Sequence, residues 1–324
     1  MANFSVKIYS REKVNELENW LKFYNKSINK TLFHSPIFLS YHKHKFNEHH
    51  LAIFKGEALF GILPLSINEQ NGEKIALSPY GGSFGGILLL STLGYGDSKN
   101  IIISILDYFK NIDVKQFIIV PQLFYQYEKN YSDTFNFCLL EQGFKIVNSD
   151  ITNVINLKGD IQNDLLSSNA RNMARKALKF NIRCEFNSKV SDFWEVMNFT
   201  FEKHGTKPTH SYEEWCYLMG LLPSDVWCDV AYFEDRPIAG IGHLKINKNV
   251  DSSFYLCNDV KFQHTQALSL LITESLKNSQ KNGFKYFDFG TSSMNMIGKE
   301  SVFNFKENFG AVGYFRNTLK YIFS

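Results

Sequence analysis

LAIFKGEALFGILPLSI at 51–67 and VAYFEDRPIAGIGHLKI at 230–246 lie over one another without a gap. Ala52 meets Ala231, Phe54 meets Phe233, Gly61 meets Gly240, Ile62 meets Ile241, Leu65 meets Leu244 and Ile67 meets Ile246. Each copy reads as a strand, a charged turn and a second strand. One such match is weak, because the pattern is common. Further along, Phe135-Asn136-Phe137 recurs as Phe303-Asn304-Phe305. Two matches in the same order point to tandem copies of one fold. The boundary is expected near Lys158-Gly159-Asp160, with an N-terminal domain over 1–157 and a C-terminal one over 158–324.

Around these hairpins, helical and strand patterns alternate. Val14, Leu17, Leu21 and Tyr24 recur every three to four residues and predict a helix over 11–25. Further helices are expected over 100–111, 190–204 and 211–221, with a buried strand at Phe117–Val120. Ser167, Ser168 or Asn169 opens a helix over 168–180, and Gly283 stops one over 265–282 before a strand at 284–289. The expected class is α/β, of the α+β kind: two tandem domains, each a mixed, mostly antiparallel sheet flanked by helices.

A length of 324 residues suits about two domains. Hydrophobic residues at 44% and charged residues at 21% exclude disordered, collagen-like and coiled-coil chains. A net charge of +3 is too small for a dedicated nucleic-acid binder, so no DNA partner is expected. No apolar run approaches the ~18 residues of a membrane span, and the first twenty residues have no apolar signal core. Five cysteines without a C-x-x-C pair read as reduced thiols, which fits a cytoplasmic protein.

Only six of the 35 basic residues are arginines, and three of those lie between 171 and 183. In SSNARNMARKALKFNIR (167–183), Arg171 and Arg175 share a helix face that Lys176 flanks and Lys179 extends. Such a face suits phosphate, since guanidinium binds it bidentately; a solvated helix face is the plainer reading. In VFNFKENFGAVGYF (302–315), Lys306 stands among aromatics. It reads either as a cation for developing negative charge or as a surface lysine with a buried stem. The repeat places Cys138 opposite it in the first copy.

In GFKYFDFGTSS (283–293), Asp288 ends the predicted strand, as a general base or as a cap. The Asp-Phe-Gly triplet is no kinase signature, since neither a glycine-rich loop nor a His-Arg-Asp segment accompanies it. In SPYGGSFGGILL (78–89), the glycines admit backbone approach to a phosphate or sugar, or simply a tight turn. His42, His44, His49 and His50 are interrupted by lysines and lack a carboxylate scaffold, so no metal site is expected.

With these residues in view, the chain resembles the Fem-type (FemABX) branch of the GNAT acyltransferase superfamily from about residue 33 onward. The basic helix with Arg171, Arg175 and Lys176 carries the likeness, as do Asp288-Phe289-Gly290 after a helix and Phe305-Lys306-Glu307-Asn308-Phe309-Gly310. FHSPIFL (33–39), GILPL (61–65), the SPYGG segment and HGTKP (204–208) also look like envelope-polysaccharide members of the group. The resemblance implies two tandem GNAT domains, with a final strand over 312–324 that returns to the first domain. It implies transfer of an acyl or aminoacyl group to an amine of a glycan or peptidoglycan precursor or a nucleotide sugar. It makes Lys306 catalytic, with Asp288 as base or positioner.

Arg171, Arg175 and Lys176, with Tyr80, Gly81, Gly82 and His42 of the first domain, become the implied substrate-binding set. Acyl-CoA or aminoacyl-tRNA would be the donor substrate, with no resident cofactor, and a lipid-linked acceptor would bring the protein to a membrane surface. Two departures stand out. The CoA-binding Q/R-x-x-G-x-G/A loop is matched by Gln263-His264-Thr265-Gln266-Ala267-Leu268, which has neither glycine. The W-x-x-x-K of peptidoglycan-type members is matched by Phe38 and His42.

The expected chemistry is direct attack of an amine on a thioester or aminoacyl ester, since no G-x-S-x-G or Cys–His nucleophile signature is present. The rivals are an acyl-CoA-dependent N-acyltransferase acting on an amino sugar, and a non-catalytic binding protein for phosphate or nucleotide sugar.

Overall fold

The computed structural model describes residues 4–42 and 45–323, apart from the side chains of Lys203 and His204; His44 of the histidine cluster lies outside them. The chain forms two compact units, one of residues 1–149 with 316–324, the other of residues 150–315.

The first unit runs β1 (Phe4–Tyr9), α1 (Val14–Lys26), α2 (Pro36–Tyr41), β2 (His50–Lys55), β3 (Ala58–Leu63), β4 (Ser66–Gln70), β5 (Glu73–Ser78), β6 (Leu88–Leu89), α3 (Tyr95–Asn111), β7 (Val114–Ile119) and α4 (Thr134–Glu141). β8 (Lys145–Asn156) then leads into the second unit. There follow α5 (Ser168–Lys179), β9 (Arg183–Glu185), α6 (Val190–His204), α7 (Tyr212–Leu221), β10 (Val226–Phe233), β11 (Arg236–Asn247) and β12 (Val250–Asn258). The chain closes with α8 (Ala267–Lys281), β13 (Tyr286–Thr291), the short hairpin β14 (Ser293–Met294) and β15 (Ile297–Gly298), α9 (Glu300–Asn308) and β16 (Val312–Ile322).

In the first unit, β1, β2, β3 and β6 form an antiparallel sheet, while β4, β5, β7 and the end of β16 lie side by side. The β5–β7 pair is parallel. Leu319–Ile322 of β16 pair antiparallel with Gln116–Ile119 of β7. In the second unit the order is β8-β13-β12-β11-β10-β9, antiparallel except between β12 and β13. Each unit has its own apolar core. Ile53, Ile101, Phe109, Phe117 and Phe144 belong to the first; Ala174, Ile241, Leu271, Phe287 and Phe309 belong to the second.

The hairpins of the sequence repeat are β2–β3 and β10–β11, one in each unit. Their turns are offset by one residue in the gapless alignment, because Lys55 pairs with Ala58 and Phe233 with Arg236. The second match falls on α4 and α9. The strand predicted at 284–289 begins two residues later. Gly283 and Phe284 spend their N–H groups on the carbonyls of Gln280 and Ser279, closing α8. Asp288 is therefore in mid-strand. The helix predicted from 100 begins at Tyr95, with Gly94 as its N-cap, since its polar first turn has no apolar periodicity to reveal it.

Candidate active-site residues in the two units

α5 owes its position to an N-cap and to alanines. Ser167 accepts from the Ala170 N–H, and Ala170, Ala174 and Ala177 form the buried face. The first turn of this helix is tied to the last residue of α9: the Ser167 N–H donates to the Asn308 carbonyl at 2.9 Å, and Ser167 Oγ lies 3.0 Å from Asn308 Oδ1. Gly310 completes the joint. Its φ is +86°, and a Cβ there would come within 2.5 Å of the Leu165 carbonyl oxygen. The last glycine of the Phe-Lys-Glu-Asn-Phe-Gly motif is thus required by backbone conformation and by close approach together. Phe309 of the motif is fully buried, and Phe305 packs against it with ring centroids 5.3 Å apart.

Lys306 lies in the last turn of α9 and is only 5% exposed. Its Nζ donates to the carbonyls of Gly290 and Thr291 at 2.9 and 2.8 Å. Burying an ammonium requires partners of this kind. Asp288, equally buried, accepts on Oδ1 from Thr152 Oγ1 at 2.9 Å and from the Gly290 N–H at 2.7 Å. Ser252 donates to the Asp288 carbonyl. Lys306 and Asp288 therefore converge on the strand end at Gly290, a residue with φ of +71°. Such hydrogen bonds fit Asp288 to orient this strand end.

The basic helix face divides by residue. Arg171 turns back along its helix, and its Nη1 donates to the carbonyls of Leu166, Asn163 and Gln162 at 3.0, 3.3 and 3.4 Å. It caps the turn over 161–165 that precedes α5. Arg175 and Lys176 are exposed and form no ion pair with the described residues. Gln266, at the first glycine position of the CoA-type loop, has φ of +62° and is the N-cap of α8. The backbone keeps the left-handed conformation of a glycine there, although the side chain is larger.

In the first unit, Tyr80, Gly81, Gly82 and His42 come together. The His42 ring lies so close to Gly81 that a Cβ there would fall 2.3 Å from it, and Gly81 has φ of +61°. A Cβ on Gly82 would meet Phe33 at 2.9 Å. Burial, aided by Lys45, holds the His42 imidazole neutral, with its pKa lowered to about 4.

Tyr80 is buried and its hydroxyl reaches Glu48 at 3.2 Å and His50 Nε2 at 3.3 Å. Arg11 binds the same carboxylate through two nitrogens, at 2.9 and 2.7 Å. Burial would raise the Glu48 pKa, but hydrogen bonds from His50 and Arg11 outweigh it and hold it at about 2. His50 itself is shifted down by burial. Its Nε2 faces Glu48 at 3.2 Å while its buried Nδ1 has no partner, which fits a neutral ring with the proton on Nε2. The sequence reading found Tyr80 and His42 but missed Arg11 and Glu48, which stand far apart in the chain. Among the described residues no group of three His, Cys, Asp or Glu side chains is placed to hold a metal ion, and no helix is long and apolar enough to cross a membrane.

The second unit holds another buried constellation that the sequence reading missed. His243 on β11 sits between Asp229 on β10, 3.1 Å from its Nε2, and Asp251 on β12, 3.0 Å from its Nδ1. Burial opposes charge on the ring, but the two carboxylates prevail and raise its pKa to about 10. Ser275 and Ser279 of α8 donate to Asp229 and Asp251, pinning the helix to β10 and β12. An aspartate inside each of the apolar strands WCDVAYF (227–233) and VDSSFYLC (250–257) was the available signal.

Two successive mixed α/β units with mostly antiparallel sheets give the chain a tandem GNAT-like fold, the fold of Fem-type acyltransferases. FemX superposes with a TM-score of 0.71 at 13% identity, covering 94% of this chain and 96% of that one. L-PGS from Bacillus licheniformis gives 0.59 at 11%, covering 97% and 93%. A tandem GNAT protein from the clavulanic acid biosynthesis pathway gives 0.55 at 9%, covering 99% and 98%. No family model and no curated protein matches the sequence.

Proposed function

We propose that the protein is a Fem-type acyltransferase. It moves an acyl or aminoacyl group from an activated donor to an amino group of a cell-envelope glycan or peptidoglycan precursor, or of a nucleotide sugar. The observation that carries this reading is the buried Lys306 ammonium on the Gly290 and Thr291 carbonyls, beside Asp288, within this fold. A buried cation fixed by backbone needs no reorganisation when charge develops nearby, which is what stabilises an oxyanion.

In the proposed reaction the acceptor nitrogen forms a bond to the donor carbonyl carbon, and the C=O electron pair moves to oxygen. Lys306 stabilises that oxyanion. Collapse re-forms the C=O and expels a thiolate or a ribose hydroxyl, which leaves with the proton lost by the nitrogen. Asp288 positions the strand end rather than taking that proton, the role its two hydrogen bonds on Oδ1 support. Arg175 and Lys176 contribute an exposed anion-binding face, and Tyr80, Gly81, Gly82 and His42 form the acceptor wall of the first unit. The protein then works in the cytoplasm on a soluble or lipid-linked precursor, with aminoacyl-tRNA or acyl-CoA as the donor.

One observation favours acyl-CoA as the alternative donor: Gln266 preserves the left-handed turn into α8, and the N–H groups of a helix N-terminus suit a pyrophosphate. The test is transfer measured by mass spectrometry, with acetyl-CoA or charged tRNA offered against UDP-amino sugars and UDP-muropeptide. Transfer by the native protein and its loss in Lys306→Met are expected. A folded Lys306→Met protein with full transfer would remove Lys306 from the chemistry.

A further inference from the structure

The Asp229–His243–Asp251 row lies at the inner end of an open recess of about 340 Å³ in the second unit. β13 separates it from Lys306. Phe284, on the recess wall, precedes that strand, whereas Gly290 and Thr291, which hold Lys306, close it. The recess is therefore distinct from the site proposed above.

Its lining has three parts. Trp227 and Phe284 form an aromatic wall, their rings inclined by 25° with centroids 6.4 Å apart. His243 covers one face of Trp227 at 4.8 Å and fixes the indole in place. At the mouth, the side chains of Asn278 on α8 and of Asn282, the C-cap of that helix, face the recess with Asn187 and Ser224. None of these four side chains makes a hydrogen bond with the described residues. At the inner end two carboxylates flank the His243 ring, while Lys245, paired with Asp225 at 3.4 Å, and Lys248 stand on the rim.

The charges decide among ligand classes. Inner carboxylates repel phosphate and other anions, and rim lysines repel cations. A metal ion is excluded from His243, whose two ring nitrogens both face carboxylates. What remains is a neutral ligand that presents an apolar face and many hydroxyls. Each hydroxyl donates and accepts, as each amide of Asn278 and Asn282 also does. Pockets of this size hold small molecules, and here two aromatic rings stand among polar groups.

We propose that this recess is a binding site for a neutral sugar, with the pyranose ring against Trp227 and Phe284 and its hydroxyls on Asn278 and Asn282. It gives the protein a grip on a glycan away from Lys306.

The test is saturation-transfer NMR on the full chain with N-acetylglucosamine, galactose and glucose as separate probes, and inorganic phosphate as a competitor. Transfer to the ring protons of at least one sugar is expected, undisturbed by phosphate. Asn278→Ala with Asn282→Ala removes two side chains at the mouth and should weaken binding roughly ten- to a hundredfold with the thermal midpoint unchanged. Trp227→Leu should abolish it. Absence of transfer from all three sugars overturns the proposal, as does displacement by phosphate. Binding undiminished in the double asparagine variant also overturns it and assigns the sugar to another site, leaving the acyltransferase reading intact.

Discussion

Lys306 and Asp288 hold the same residue from its two sides. Lys306 Nζ donates to the Gly290 carbonyl at 2.9 Å, and Asp288 Oδ1 accepts from the Gly290 N–H at 2.7 Å. A cation on α9 and an anion on β13 thus fix one strand end between them.

That shared residue gives Lys306 two separable effects. Lys306→Met leaves two carbonyls without their donor, which should cost about 1–3 kcal/mol in urea unfolding. If Lys306 also stabilises an oxyanion, single-turnover transfer should fall by ~10²–10³ in protein that is still folded. Lys306→Arg keeps a charge but cannot match the compact ammonium, so stability should recover more than rate. Equal recovery of both would assign Lys306 to structure alone.

The two arginines of α5 should part company. Arg171→Ala removes the cap on the carbonyls of Gln162, Asn163 and Leu166 and should lower stability by about 1–2 kcal/mol. Arg175→Ala touches no partner and should leave stability within ~0.5 kcal/mol. Its effect should appear as a higher KM for an anionic substrate, with kcat little changed.

Gly81→Ala combines a disfavoured φ with a Cβ placed 2.3 Å from the His42 ring. A loss of at least ~2 kcal/mol is expected in denaturant titration, from strain and displaced packing together. The paired change Gly81→Ala with His42→Ala should recover part of it, since space is then released while the φ remains unfavourable.

Stability should respond to pH through two windows. Glu48 is held at about 2 against an ordinary 4.5, so its contribution is complete above pH 4.5 and is lost as pH falls through 2. His42 adds to the loss on acidification. Its pKa is lowered to about 4 from 6.5, so the unfolded chain binds the proton first and stability declines from pH 6.5 to 4. His243 has the opposite sign. Raised to about 10 from 6.5, its contribution is complete below pH 6.5 and disappears as pH rises through 10. Thermal midpoints from pH 3 to pH 10 should show the alkaline loss, and His243→Gln should remove it. A native protein whose midpoint stays flat from pH 6.5 to 10 would contradict the charged state of His243.

Local pattern made much of the fold legible. The hairpins at 51–67 and 230–246 were readable because strand alternation and charged turns are short-range properties, and their repetition disclosed a tandem architecture. Lys306 and Asp288 were readable as candidates because each stands in a compact motif. Their hydrogen bonds to Gly290 were not, because they depend on α9 turning back onto the end of β13. Arg171 shows the same limit: spacing gave it the same standing as Arg175, and only the preceding turn's carbonyls distinguish the two.

Local patterning sets the alternation of strands and helices, the two copies, and which polar residues fall within motifs. Tertiary structure alone decided which of them share a site. Arg11, Glu48, His50 and Tyr80 meet through strand pairing and loop closure, as do Asp229, His243 and Asp251 on three neighbouring strands. The physical reason is that burying a charge is tolerated only when its partners are already positioned around it. That positioning belongs to backbone hydrogen bonds and packing between distant segments, which no local pattern specifies.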